Sequence, residues 1–73
     1  MNDDILEGNW KQIKGQVKET WGRLTDDEMQ QIEGHRDRLV GILQEKYGYT
    51  QQEAKDSIND FLDQFEEDLQ KNI

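Results

Sequence analysis

The 73-residue sequence contains no cysteine and no proline. Without cysteine, neither disulfides nor cysteine-ligated zinc can stabilise so short a chain. Without proline, helices must be delimited by glycines and capping residues. No stretch approaches the roughly 18 apolar residues that a transmembrane helix needs. Stability must therefore come from helices that bury a small apolar core, in a single domain that spans residues 1–73.

Basic residues are also scarce: 9 Lys and Arg stand against 17 Asp and Glu, which gives a formal net charge of −8. A field of that sign disfavours binding to nucleic acid and to anionic membranes, and it favours solubility. The N-terminus, Met1-Asn2-Asp3-Asp4, is acidic and lacks the apolar segment of a secretory signal. The sequence therefore predicts a cytoplasmic protein that binds no membrane.

Glycines and threonines divide the chain into helices. Gly22, Gly34 and Gly48 each follow a helical stretch, where a left-handed residue commonly ends a helix. Thr25 and Thr50 each stand three positions before a glutamate, which is the spacing of a capping box. The predicted helices cover about residues 9–21, 25–33, 35–47 and 50–70.

Each predicted helix carries apolar residues at helical spacing. These are Trp10, Ile13, Val17 and Trp21; Met29 and Ile32; Leu39, Ile42, Leu43 and Tyr47; and Ala54, Ile58, Phe61, Leu62, Phe65 and Leu69. Short connections make neighbouring helices fold back on one another. The prediction is an all-α fold, a compact bundle of four short helices around one small core, with Trp10 and Trp21 as its largest residues.

Five segments of the sequence form a combination that is specific as a set. They are Gly8-Asn9-Trp10-Lys11-Gln12-Ile13-Lys14-Gly15, the run from Val17 to Asp27, Ile32-Glu33-Gly34, Leu39-Val40-Gly41, and Gln44-Glu45-Lys46-Tyr47-Gly48-Tyr49. Together they resemble the CsbD-like family of small bacterial stress-response proteins, over about residues 2–54. The resemblance implies a cytoplasmic helical domain built as two crossed helical hairpins, and it carries over no catalytic residue and no cofactor. Residues 55–73 lie outside it and are predicted to form an acidic final helix.

Candidate catalytic and metal-binding residues are few. His35 is the only histidine, and with no cysteine in the chain we expect a surface or capping role. The last predicted helix carries carboxylates opposite its apolar stripe: Glu53, Asp56, Asp60, Asp63 and Glu67. Along a straight helix these side chains diverge, so a solvated face is predicted rather than a metal site. We expect no enzymatic activity, no cofactor and no metal.

A candidate interaction surface consists of Lys11, Lys14, Lys18, Gly15 and Gly41. The lysines share one flank of the first helix, where they could contact phosphates, lie along the core edge or pair with the acidic last helix. The two glycines sit inside helices, where each costs about 0.8–1 kcal/mol relative to alanine. Close approach of another backbone, within the fold or across an oligomer interface, is one explanation, and tolerated local weakness is the other.

The function predicted from these features is that of a non-enzymatic, stress-associated small soluble protein. It would act through protein–protein contact or as an abundant protectant. A second hypothesis is a small interaction module that self-associates or docks on one specific partner through the outward faces of the first and third predicted helices. The alternative is a weak nucleic-acid-binding module that uses the lysine row. An unidentified protein partner is left open, and so is the choice between a monomer and weak self-association.

Overall fold

The computed structural model describes residues 2–71, with side chains described for residues 5–68. It contains five helices: α1 (Asn2–Gly8), α2 (Trp10–Thr20), α3 (Asp26–Ile32), α4 (Arg36–Tyr47) and α5 (Gln51–Lys71). No strand occurs between residues 2 and 71, so the all-α prediction is confirmed. The four predicted helices correspond to α2–α5, and α1 is an addition. The arrangement as two crossed hairpins stays a prediction.

Both predicted capping boxes are present. Glu28 N–H donates to Thr25 Oγ1 at 3.2 Å, while Thr25 N–H donates to Glu28 Oε1 at 2.9 Å. Thr50 and Glu53 repeat the arrangement at 3.1 Å and 2.8 Å. Each box satisfies two N–H groups that a helix start leaves without a partner, and α3 and α5 therefore begin directly after these threonines.

The helix C-termini follow the prediction in two places and depart from it in one. Gly34, after α3, and Gly48, after α4, have positive φ angles of 85° and 70°. Gly22 does not adopt this conformation, so its predicted role as a left-handed terminator is wrong. The turn after α2 is closed instead by Trp21, whose carbonyl oxygen accepts the N–H of Leu24 at 3.1 Å. Because that bond holds the turn, Gly22 need not become left-handed.

All five helices contribute to one apolar core. Its buried members are Leu6, Ile13, Val17, Trp21, Leu24, Met29, Ile32, Leu39, Val40, Ile42, Leu43, Ala54, Ile58, Leu62 and Phe65. Trp10, Tyr47 and Phe61 from the predicted stripes are only partly buried and pack against its edge. The predicted contribution of Leu69 lies outside the described side chains. Trp21 is therefore a core residue as predicted, whereas the prediction that Trp10 would be one of its largest pieces is wrong.

Helix α1 is separated from α2 by Asn9 alone. The Asn9 side-chain amide donates to the carbonyl oxygen of Ile5 at 3.0 Å, and its backbone N–H donates to the same oxygen at 3.1 Å. These bonds close the end of α1. The helix packs on α2, α4 and α5 and places Leu6 in the core with no exposed surface. A helix of seven residues is not stable in isolation, so tertiary packing is what forms it.

None of the helices in the described part of the chain is long and apolar enough to cross a membrane.

Candidate interaction site between α2 and α3

An open groove lies on the surface between α2 and α3. Its lining residues are Trp10, Lys11, Lys14, Gly15, Lys18, Asp26, Met29, Gln30 and Glu33, and we call it the α2–α3 groove. The two helices are not among the helix pairs that pack closely, which leaves the space between them open. Four of the five residues predicted as an interaction surface line this groove, and only Gly41 lies elsewhere.

The lysine row is divided by an ion pair. The Lys18 ammonium contacts the carboxylate of Asp26 at the start of α3, rather than any residue of α5. A hydrogen bond from Lys18, together with its charge, lowers the pKa of Asp26. Lys11 and Lys14 are exposed and form no ion pair with the described residues. The two lysines closest in sequence to Trp10 therefore have no charged partner among the described residues.

Gly15 and Gly41 both face open space. A Cβ atom added to either residue would meet no atom within 4 Å apart from its own surroundings in the helix. The expectation of a close backbone approach within the fold is therefore wrong for both. Gly15 opens into the α2–α3 groove, and Gly41 lines a separate depression between α3 and α4. An oligomer interface and tolerated local weakness stay as the two predicted explanations.

Alanine at Gly15 and alanine at Gly41 are each expected to raise the free energy of unfolding by about 0.8–1 kcal/mol. The helix gains propensity, and the added methyl group enters free space. Urea unfolding followed by far-UV circular dichroism measures both variants against the parent. A loss of stability at either position would contradict this expectation. Light scattering would then compare the molar masses of the parent and the variant, and so show whether a second copy of the chain contacts that position.

His35 lies at the surface, as predicted. It occupies the N-cap position of α4, but its side chain makes no capping hydrogen bond, so the capping role is absent. Its Nδ1 lies 3.6 Å from Glu7 Oε2, and both side chains are substantially exposed. The predicted acidic face of α5 is confirmed, because Glu53, Asp56, Asp60, Asp63 and Glu67 are all exposed. No group of three His, Asp or Glu side chains that could hold a metal ion occurs among the described residues.

A cluster that the sequence did not predict joins the loop after α2 to the end of α4. The guanidinium of Arg23 lies 5.4 Å from the centroid of the Tyr47 ring. Arg23 N–H donates to Tyr47 Oη at 3.2 Å, and Arg23 Nη1 donates to the Lys46 carbonyl oxygen at 3.3 Å. Tyr47 in turn stacks on Tyr49, with ring centroids 5.6 Å apart. Arg23 and the segment from Lys46 to Tyr49 were both visible in the sequence. Their positions along the chain did not indicate that they would be in contact.

The capping glutamate of α3 belongs to the same region. Glu28 Oε1 lies 3.2 Å from the ammonium of Lys46 and also accepts the N–H of Thr25. The hydrogen bond from the Thr25 backbone, followed by the interaction with Lys46, lowers the pKa of Glu28 from its ordinary value of 4.5. The ionised form of this carboxyl group therefore supports the start of α3.

Acid is expected to destabilise the domain through Glu28 and Asp26. Their pKa values are lower in the folded state, so their stabilising contribution is complete above the ordinary values and disappears as the pH falls through the folded ones. The loss begins near pH 4.5 for Glu28 and near pH 3.8 for Asp26 and continues below. Urea unfolding at successive pH values measures it. Glu28→Gln should flatten the slope, whereas Asp63→Asn on the exposed face of α5 serves as the matched control. An unchanged slope in Glu28→Gln would contradict the assignment.

The fold and the groove define a small all-helical protein with an open groove on its surface. The model of the CsbD-like family matches residues 4–56, and the chain belongs to that family. The resemblance identified in the sequence is thereby confirmed.

Relatives in several bacteria are similar over most of their length. UPF0337 protein PA4738 of Pseudomonas aeruginosa is 49% identical over 63 residues, which is 86% of this chain and 97% of the relative. UPF0337 protein YjbJ of Escherichia coli K12 is 57% identical over 61 residues, or 84% and 88%. A UPF0337 protein of Bordetella pertussis is 48% identical over 63 residues, or 86% and 96%. No solved structure gives a significant match.

Proposed function

We propose that this chain is a non-enzymatic, stress-associated protein of the bacterial cytoplasm that acts by binding another protein through the α2–α3 groove. The observation that carries the proposal is the partly buried Trp10 beside Lys11 and Lys14, which have no ion-pair partner among the described residues. Tryptophan beside polar groups is typical of interface centres, because it supplies a large contact area at little entropic cost. The stress setting is an expectation that comes with the CsbD-like family.

Contact fits the groove better than catalysis does. Its ionisable groups are lysines and carboxylates, and two of them, Lys18 and Asp26, are occupied with each other. An active site generally needs an enclosed pocket in which an acid, a base or a nucleophile is held against the substrate. The α2–α3 groove is open and does not enclose a substrate against its lysines and carboxylates, which supports binding as its role.

A photo-crosslinking residue placed at Lys14 tests the proposal in cells. Lys14 lines the groove, whereas Gln16 is exposed on another side of the same helix and provides the matched control. The expected result is a discrete adduct from stressed cells with the probe at position 14, weakened by Lys11→Gln and absent with the probe at position 16. Equal, unspecific labelling at both positions would support the abundant protectant instead. The absence of an adduct specific to position 14 would refute contact through this groove.

Weak nucleic-acid binding is the second candidate function. Two exposed lysines beside an accessible indole could contact phosphates and stack a base. The pairing of Lys18 with Asp26 reduces the row to two available cations, and the net charge of −8 opposes the approach of nucleic acid. Titration with single-stranded DNA and RNA at low salt decides the matter. Binding that weakens steeply with added salt would support this function, and no binding at low salt would eliminate it.

A further inference from the structure

The α2–α3 groove combines a basic wall, an aromatic side chain and the open space that Gly15 leaves on the surface of α2. From this combination we infer that the groove takes an acidic amphipathic helix of a partner protein. The inference rests on the proposed contact function and adds the chemistry of the occupant. Three features carry it: the two lysines without ion-pair partners, Trp10, and the open space at Gly15.

The lysines set the charge and the spacing of the occupant. Lys11 and Lys14 are three positions apart on α2, which corresponds to a rise of about 4.5 Å along the helix axis. Carboxylates three or four positions apart on a helix lying along α2 have a similar spacing and face the same side. Such a helix can therefore present one carboxylate to each lysine. Glu33, on the other side of the groove, repels a second acidic stripe, so the acidic stripe of the occupant is directed toward α2.

Trp10 requires that the occupant helix also carry an apolar residue. Trp10 is only partly buried against the edge of the core, and it lines the groove together with Met29. An apolar side chain one turn from the carboxylates would cover the ring. Amphipathic helices that bind in grooves use this arrangement, with apolar anchors one turn apart and charged residues at the margin.

Gly15 allows the occupant to come close. It lies in α2 with open space where its side chain would be, and it faces the groove. Two packed helices lie about 8–10 Å apart, depending on the side chains at the point of contact, so a glycine there permits the short end of that range. Within the chain itself this glycine only weakens α2. An approaching helix accounts for both its presence and its position.

Other occupants fit less well. A second copy would bring the exposed carboxylates of α5, but the described apolar residues of that helix pack in or against its own core, with only Phe61 partly exposed, and both copies carry a charge of −8. A nucleic acid could pair its phosphates with the lysines, but its binding would not explain the open space at Gly15. The observations therefore favour a helix from a different protein, with carboxylates and an apolar anchor on one face.

The test follows the two tryptophan indole N–H signals of the full chain by NMR during titration with synthetic helical peptides. Trp10 lines the groove and Trp21 lies in the core, so each molecule contains its own control. The probe peptide carries two glutamates four positions apart and an adjacent leucine stripe. In the control peptides, lysines replace the glutamates or serines replace the leucines. We expect the probe alone to shift the Trp10 signal, with Trp21 unchanged, and Lys11→Gln combined with Lys14→Gln to weaken binding about fivefold.

A pair of glycine variants tests whether the open space at Gly15 is needed for binding. Gly15→Gln introduces a good helix former into α2 but fills the groove, and it is expected to abolish the Trp10 shift. Gly41→Gln makes the same change on α4, away from the groove, and is expected to bind like the parent. Equal shifts with the acidic and the lysine peptides, no Trp10 response, or normal binding by Gly15→Gln would each overturn the inference.

Two further measurements separate the alternatives. A Trp10 shift with single-stranded DNA but not with the acidic peptide, or a shift that depends on protein concentration without any peptide, would overturn the inference in favour of nucleic acid or a second copy. An adduct at position 14 in cells without a peptide response would leave the contact function standing and refute the helical occupant. A peptide response without any cellular adduct would support the chemistry of the groove and refute the contact function.

Discussion

Replacing Trp21 with alanine is expected to lower the free energy of unfolding by about 3–5 kcal/mol. The side chain is only 4% exposed, and its ring packs against Phe61 of α5 with the centroids 5.2 Å apart and the planes tilted by 53°. The variant loses that burial and the aromatic contact, and it leaves a cavity between the end of α2 and α5. A core in a chain of this length rarely supplies more than about 3–5 kcal/mol, so the variant should be largely unfolded at room temperature.

Far-UV circular dichroism and urea unfolding measure this effect, and Trp10→Ala is the matched control. Trp10 is only partly buried, at the margin of the core, so its removal should cost less, about 1–2 kcal/mol. The contrast between the two variants isolates burial, because the chemical change is the same. Equal losses, or a Trp21→Ala variant that unfolds at the same urea concentration as the parent, would contradict the position of Trp21 in the core.

Alanine at Gly34 is expected to cost about 2–4 kcal/mol by forcing a left-handed residue to carry a side chain and by displacing α1. Gly34 has a φ of +85°, and an added Cβ atom would lie 2.9 Å from the Cα atom of Glu7 and 3.3 Å from the carbonyl oxygen of Leu6. Both atoms belong to the backbone of α1, which cannot rotate aside as a side chain would. The helix must therefore move as a unit and expose Leu6, which is otherwise completely buried.

Gly48→Ala separates the two causes. Gly48 is also left-handed, with a φ of +70°, but an added Cβ atom there meets nothing within 4 Å. This variant should therefore lose only the backbone term, about 1–2 kcal/mol. Amide hydrogen exchange measures the consequence for α1: its protection should fall selectively in Gly34→Ala and remain in Gly48→Ala. Equal stability losses with unchanged protection of α1 would contradict the packing of α1 against the α3–α4 turn.

The position of α1 also affects the α2–α3 groove. Asn9 joins α1 directly to α2, and Trp10 is the first residue after this junction. The Cβ atom of Trp10 would lie 3.4 Å from a Cβ atom added at Gly34. Trp10 and α1 therefore both pack against the turn that contains Gly34. Displacement of α1 should thus disturb Trp10, and the Trp10 indole signal in Gly34→Ala provides a direct check of this coupling.

Local features of the helices were predictable because their causes lie within a few residues. The capping boxes at Thr25 and Thr50 depend on a glutamate three positions later, and the left-handed ends at Gly34 and Gly48 depend on glycine itself. Gly22 offered the same local signal, but the hydrogen bond from Leu24 to the carbonyl oxygen of Trp21 closes that turn without it. At Gly22 the local signal therefore failed because another residue had already closed the turn.

The candidate site was only half predictable for a related reason. Lys11, Lys14 and Gly15 share a face because helical periodicity places them there. The sequence did not indicate that Lys18 pairs with Asp26, nor that Trp10 remains partly uncovered. Both facts depend on the distance between α2 and α3, which no periodicity within one helix determines.

The amino-acid sequence by itself determined that the chain is helical, where α2–α5 begin and end, which faces are apolar and to which family the protein belongs. The tertiary structure alone decided that residues 2–8 form a helix, that Leu6 replaces Trp10 as a fully buried core residue, and that an open groove separates α2 from α3. The physical reason is the range of the interactions. Capping, propensity and amphipathic spacing act over three or four positions, whereas burial and ion pairing depend on which distant segments meet when the core closes.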